Sequence, residues 1–376
     1  MISRVVILLL FWCSFHETLA QNVVCYYDST AATLSEPLTP DSLSVANCTH
    51  YTYIGLGLTA NGDLRSIHDS YDKTNGFTAF QNLRANNSKL LILLGGIYES
   101  STTFSNVIGS YPDTLINNIA IFLNRYNFDG IDIDWRYPAS RGGKASDKAN
   151  FQKFLIRLRA RLNMINKLLV VSVSPNKSVF TGAYDSTTLS LYADMINVYA
   201  FNFTETVETK TANLAPMYSN SANLISVNSS IVDWLSTKVR KSKINIVVAS
   251  YARSYTLTSA TRNTLGASIR GPGTQGAITR QAGYLAQYEF CSLRSNYVNT
   301  TDAVTQTIYY TKDSSWISTE TADTLIQKLT YVLDNTLGGI AIYTLDWDDW
   351  SNGCGEGEFP VAALAQQYFN SGSSSP

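Results

Sequence analysis

One short segment of the 376-residue chain concentrates side chains that could do acid–base chemistry: Phe128-Asp129-Gly130-Ile131-Asp132-Ile133-Asp134-Trp135-Arg136-Tyr137-Pro138. In an extended strand successive side chains alternate between faces. Asp132, Asp134 and Arg136 therefore share one face, and Ile131, Ile133 and Trp135 the other. Carboxylates turned into an apolar interior are costly unless paired, so two of them near the C-terminal end of a strand suggest a site. The competing account is a buried structural ion pair in which Arg136 answers Asp132 and Asp134. Spacing alone leaves both open. Gly271-Pro272-Gly273-Thr274-Gln275-Gly276 matches a dinucleotide-binding glycine pattern letter by letter. No strand leads directly into it and no helix with a distal acid follows, as that motif requires, so it reads as a glycine loop and no cofactor is expected. Beyond the first 20 residues the only histidines are His50 and His68. A His-based metal site or a Ser/His/Asp site would need one of these isolated residues, and neither is expected.

The elements that must position the acidic segment are legible as short apolar runs. They begin near Val23, Tyr51, Leu90, Gly130, Leu168, Met195, Ile244 and Gly339. Most are spaced by about 30 residues or somewhat more, as a strand-plus-helix unit requires. Runs such as LLILL, LLVVSV and GIAIYTL are almost continuously apolar, as in a parallel sheet covered on both faces. Between them, Phe151, Phe154, Leu155, Leu158 and Leu162 fall on one helical face, and Ala322, Leu325, Ile326, Leu329 and Leu333 on another. Eight such units predict an α/β fold, a closed (β/α)8 TIM barrel, with an open doubly wound sheet as the alternative. The last gap, from Ile244 to Gly339, exceeds one unit. Its excess, residues 256–312, is rich in Gly, Thr, Ser and Tyr and predicts a small α+β subdomain inserted between strand 7 and the last helix. The barrel is expected over 21–369, with a disordered tail over 370–376.

Composition excludes several function classes. Lys+Arg 28 against Asp+Glu 29 gives a net charge of −1, with no basic surface for nucleic acid. At 45% hydrophobic residues the chain can bury a full core, so disorder is excluded. Arg4, the apolar run Val5 to Cys13 and the small-residue end at Thr18-Leu19-Ala20 read as a secretory signal over 1–20. Ser14, His16, Glu17 and Thr18 end that run short of the ~20 apolar residues a membrane anchor needs, and no later stretch is long enough to span. The mature chain is expected to be exported and extracellular. It keeps four cysteines, Cys25, Cys48, Cys291 and Cys354, which allow three pairings. Cys291 lies in the insertion and Cys354 just past the eighth run, so one bridge could staple the two together. Glycosylation sequons begin at Asn47, Asn86, Asn176, Asn202, Asn228 and Asn299.

The acidic segment resembles the D-G-x-D-x-D-W-E-Y-P signature of family 18 glycoside hydrolases, the chitinases and chitinase-like lectins. The resemblance runs from about Val23 to Phe369. Cys25-Tyr26-Tyr27 is similar to the first strand of that family, Cys48-Thr49-His50 to its second and Leu94-Gly95-Gly96 to its third. Tyr251 to Leu257 resembles the exit of the seventh strand. Gly271-Pro272-Gly273 through Ala282-Gly283 to Tyr288-Glu289-Phe290-Cys291 resembles the insertion, and Leu345-Asp346-Trp347-Asp348-Asp349 the end of the eighth strand. The resemblance implies that Arg136 stands where active relatives carry the Glu that protonates the leaving oxygen. In this family the nucleophile is the substrate's own acetamide oxygen, which the residue matching Asp134 orients. A guanidinium stays protonated near neutrality and cannot serve as that acid. Val198-Tyr199-Ala200-Phe201-Asn202 resembles the sixth-strand M-x-Y-D stretch, with Phe201 lacking the hydroxyl and Asn202 the carboxylate. Asp132, Asp134, Arg136, Phe201 and Asn202 together therefore imply a degenerate site and an absent hydrolase activity.

For binding, the resemblance places Tyr26, Tyr137, Tyr251, Arg253 and Tyr343 in the cleft. Thr30 and Ile97 stand where relatives carry Trp, and Tyr343 where a Trp floors the central subsite. No Cys-rich chitin-binding module follows in the sequence, so weak affinity for long chitin is expected. The expected partner is a chitooligosaccharide or another N-acetylated glycan. The alternative is a secreted signalling, immune or structural protein that acts through its outer surface, on a receptor the sequence does not name, with no sugar role, and an active chitinase is third. Bridges Cys25–Cys48 and Cys291–Cys354 are expected. Asn202 is expected to stay unmodified inside the barrel mouth, and loop sequons such as Asn299 to be better used.

Overall fold

The computed structural model describes residues 21–204, 209–219, 221 and 224–371. The expected signal, residues 1–20, and residues 372–376 of the expected tail lie outside them. Eight parallel strands close on themselves: Asn22–Asp28, His50–Leu58, Lys89–Gly95, Gly130–Asp134, Leu168–Val173, Met195–Tyr199, Ile244–Ala249 and Gly339–Tyr343. Closure is made by the first strand, which pairs with the second (Val24 opposite His50) and the eighth (Val23 opposite Ile340). Every strand begins within one residue of the position read from the sequence. The chain folds as a (β/α)8 barrel.

Alternation along each strand separates two apolar layers. Ile131, Ile133 and Trp135 face outward into the layer under the helices, where the Trp135 ring stacks on Phe104 at 5.3 Å and meets Phe151 edge-on. The helix Asp147–Asn163 buries all five residues of its expected stripe, Phe151 through Leu162. Inside the barrel a smaller cluster gathers Val24, Tyr26, Ile54, Leu91, Leu93, Val170, Met195, Tyr199, Phe201, Val247, Ala249, Tyr251 and Ala341.

The insertion is a six-stranded antiparallel sheet with the helix Gln287–Arg294 on it. It spans Tyr251–Thr319, wider than the expected 256–312, because its central strand Tyr251–Leu257 leaves the seventh barrel strand after one residue and pairs with Ser315–Thr319. The insertion precedes the helix Ala322–Asp334, which is not the last: Pro360–Asn370 follows the eighth strand, so the barrel runs one residue past the expected 369. The expected stripe on Ala322–Asp334 is rotated. Leu325 and Leu329 are buried with Thr324, Lys328 and Val332, while Ala322 is exposed and Ile326 and Leu333 are half-buried. The cause is Glu320, at the end of the insertion sheet, whose Oε1 accepts from Lys328 Nζ at 2.7 Å and draws that lysine inward.

Cys25 is bonded to Cys48 and Cys291 to Cys354. The second bridge ties the insertion helix to the segment after the eighth strand. Serine replacement of both Cys291 and Cys354 is expected to cost about 3–4 kcal/mol on loop-entropy grounds. Chemical denaturation, with near-UV signals from the insertion's tyrosines losing structure first, checks this, and an unchanged midpoint would refute it.

Candidate functional site

The inward face of the barrel carries a polar ladder that ends at the acidic segment. Asn22 Nδ2 donates to Asn245 Oδ1, and Asn245 Nδ2 to Asn197 Oδ1. Asn197 Nδ2 donates to the Tyr26 hydroxyl at 2.6 Å, which donates to Asp132 Oδ2 at 2.7 Å. Ser172 Oγ donates to the same carboxylate oxygen at 2.9 Å. Asp132 Oδ1 is buried and makes no hydrogen bond among the described residues. Burial, with the nearby Asp134 charge, pushes the Asp132 pKa up to about 7 against the opposing bonds from Tyr26, Ser172 and Asn197.

One pleat further on, both oxygens of Asp134 are engaged. Arg136 Nε lies 2.9 Å from Oδ1, Arg136 Nη2 lies 2.9 Å from Oδ2, and the Tyr199 hydroxyl donates to Oδ2 at 3.1 Å. A bidentate guanidinium–carboxylate pair is among the strongest of polar contacts. The guanidinium lies over the Tyr199 ring at 3.8 Å and 6.0 Å from the centre of Tyr343, a cation–π arrangement. Burial pulls the Arg136 pKa down, but Asp134 outweighs it and holds the pKa well above its usual range. Of the two accounts open for Arg136, the ion pair is made, and made with Asp134.

Above this pair a cavity of about 820 Å³ opens at the C-terminal end of the barrel. Its lining includes Asp134, Arg136, Tyr137, Asn202 and Arg253. Tyr26, Tyr251 and Tyr343 do not line it. Tyr26 is fully buried beneath Asp132 and cannot touch a ligand there, which corrects its placement in the cleft. Tyr343 packs 5.5 Å from Tyr199 and 5.8 Å from Phe201, and Tyr251 packs 6.0 Å from Phe201. Edge-on and tilted rings thus pack inside the barrel, and the cavity lies between the segments after the third, fourth and sixth strands and the insertion. There Arg141 covers Tyr137 at 3.5 Å and Arg253 covers Tyr284 at 4.3 Å. Ile97, at the expected Trp position, lines the cavity 66% exposed, with no broad ring to offer.

Sequence reasoning missed Tyr199, Ser172, Asn197, Tyr284 and Glu99. Tyr199 was legible in principle: Asn197, Tyr199 and Phe201 alternate on one face as Asp132 and Asp134 do. Glu99 lines the cavity but accepts from Leu58 N at 2.8 Å and Ser100 N at 2.9 Å, with Arg65 at 3.7 Å, so it is held at the wall. Of the sequons, Asn202 lines the cavity half-buried, Asn47 is exposed at a turn, and Asn176 and Asn228 are half-buried at helix starts. Asn86 ends a short helical turn. Asn299 lies on a strand, Val298–Asp302, rather than in the expected loop. Among the described residues no His/Cys/Asp/Glu cluster could hold a metal, and no helix is long and apolar enough to cross a membrane.

The raised Asp132 pKa has a sign. An unfolded Asp titrates near 3.9, so between about pH 4 and 7 the folded state binds more protons, and this group's contribution to stability falls as pH rises through that window. Asp346 and Asp348 are likewise pushed to about 7, chiefly by burial. Asp132→Asn should therefore gain stability relative to the wild type as pH rises from 4 to 7, by at most about 1.4 kcal/mol per pH unit. Parallel unfolding curves at pH 5 and 8 check it, and identical pH dependence in the two proteins would refute it.

A (β/α)8 barrel with an α+β insertion, and a polar ladder ending in two carboxylates near its C-terminal mouth, has the layout of barrel enzymes whose sites lie at that face. The chain belongs to the glycosyl hydrolases family 18, whose sequence pattern matches residues 22–348. It is 27% identical to mouse chitotriosidase-1 over 95% of this chain and 80% of that one. It is 28% identical to human chitinase-3-like protein 2 over 94% and 93%. The structure superposes on the Ostrinia furnacalis group IV chitinase, solved in complex with allosamidin, with a TM-score of 0.91 at 27% identity over 94% of this chain and all of that one.

Proposed function

We propose that this is a secreted chitinase-like protein without hydrolase activity that binds N-acetylglucosamine-containing oligosaccharides weakly through the cavity above Arg136. The observation that carries the reading is the Arg136–Asp134 pair. Hydrolysis needs a proton donor at the leaving oxygen and an Asp134 oxygen to orient the acetamide. Arg136 removes the first and, with Tyr199, occupies the second. Loss of general acid catalysis alone costs about 10²–10⁴-fold. Tyr137 and Tyr284, each faced by an arginine, leave aromatic and polar surface of the kind a pyranose ring meets. Two disulfides and six sequons support export to an oxidising compartment.

A second reading, action through the outer surface with no sugar role, is favoured by the rings of Tyr26, Tyr251 and Tyr343 packing on their neighbours rather than facing the cavity. Titration calorimetry with tetra-N-acetylchitotetraose, alongside a fluorogenic chitobioside assay, separates the readings. Binding that Tyr137→Ala weakens, with no cleavage, supports the first. No binding to any N-acetylated glycan supports the second, and robust cleavage overturns both.

A further inference from the structure

We propose that an N-linked glycan on Asn299 covers the open edge of the insertion sheet and keeps the protein monomeric. The inference rests on the secretory reading above but not on sugar binding. A closed barrel has no sheet edge. The insertion sheet has two, and an unpaired edge is a template for another chain unless something blunts it. At one edge the strand Ile269–Pro272 is short, shifts register between Ile269 and Gly271, and ends in a proline that cannot donate to a ladder. The other edge is Val298–Asp302, paired on one side with Thr307–Lys312 over five residues in unbroken register. Among the described residues no strand pairs with its outer side.

That strand's one charged side chain, Asp302, is half-buried at its end and turned to the next turn, where it accepts from Val304 N. Val298, Asn299, Thr300 and Thr301 are all exposed, Val298 at 69%. Val and Thr favour extended pairing, and the strand holds no Lys, Pro or bulge. What it does hold, at its second residue, is Asn299 of the sequon Asn299-Thr300-Thr301. Modification there forms a bond between Asn299 Nδ2 and the anomeric carbon of an oligosaccharide. It breaks the bond from that carbon to the lipid pyrophosphate donor, and the released pyrophosphate takes up the amide proton. A branched, hydrated chain fixed at this point sterically denies the edge to the strand of a second molecule.

The test uses the secreted full chain from a eukaryotic host. Glycopeptide mass spectrometry should find Asn299 occupied, and sedimentation velocity should find a monomer. Asn299→Gln should shift the protein to dimers and larger species at the same concentration, and adding Val298→Lys should return it to monomer. Asn47→Gln, at an exposed turn, should leave the monomer unchanged. If Asn299→Gln is not secreted, endoglycosidase trimming of the folded wild type decides, and trimmed protein should self-associate. Occupancy at other sequons with none at Asn299, or a trimmed protein that stays monomeric, overturns the proposal. A chain that the host retains in its cytosol, with no sequon occupied, overturns the secretory reading with it.

Discussion

The Arg136→Glu variant is expected to cleave a fluorogenic chitobioside feebly at most. The triple variant Arg136→Glu, Phe201→Tyr, Asn202→Asp should exceed it by at least about tenfold, because groups that act as a unit in catalysis are strongly non-additive. The structure supplies reasons on both sides of the comparison. A glutamate at 136 restores an ionisable donor but takes away the cation that now holds both oxygens of Asp134. Two carboxyls would then face each other above Asp132, and like charges so placed share protons rather than ionise freely. Tyr199 would still hold Asp134 Oδ2, and Phe201, packed 5.8 Å from Tyr343, would still carry no hydroxyl. Asn202 sits at φ 48°, a left-handed conformation that Asp also tolerates, so the third change adds little strain. Rates for the single variant equal to those of the triple would show that the sixth strand is immaterial.

Lys328→Ala is expected to destabilise the fold by about 3–5 kcal/mol, since removing one partner of a buried pair leaves the other charge uncompensated. Lys328 and Glu320 have side chains 0% and 4% exposed, and beside the Oε1 that holds the lysine, Glu320 Oε2 makes no hydrogen bond among the described residues. The double replacement Lys328→Met, Glu320→Gln should cost much less, because no ion is stranded. Urea unfolding of the three proteins measures the difference, and a single variant within about 1 kcal/mol of the wild type would show that water reaches the site.

The sequence by itself determined the barrel and the chemistry of its signature strand. Apolar runs at strand-plus-helix spacing placed all eight strands to within a residue, since a strand buried on both faces has few alternatives to continuous hydrophobicity. Alternation put Asp132, Asp134 and Arg136 on one face before any contact was known. Polar residues that appear singly in such runs, Ser172, Asn197 and Asn245, were not legible as a set. Their ladder exists only because closure brings five strands' inward faces together. The same closure decided which tyrosines can meet a ligand. Matching the family's positions suggested five cleft residues, but ring packing buried Tyr26 and Tyr251 and half-buried Tyr343 against them, and the cavity is lined instead by Tyr137, Arg253 and Tyr284. Helix periodicity misplaced the stripe on Ala322–Asp334 because a buried Glu320, contributed by a different element, made burial of Lys328 favourable. Period and alternation are properties of neighbours along the chain, and the sequence carries them. Which lone pair is occupied, and which ring is covered, depends on groups that only tertiary folding brings within reach.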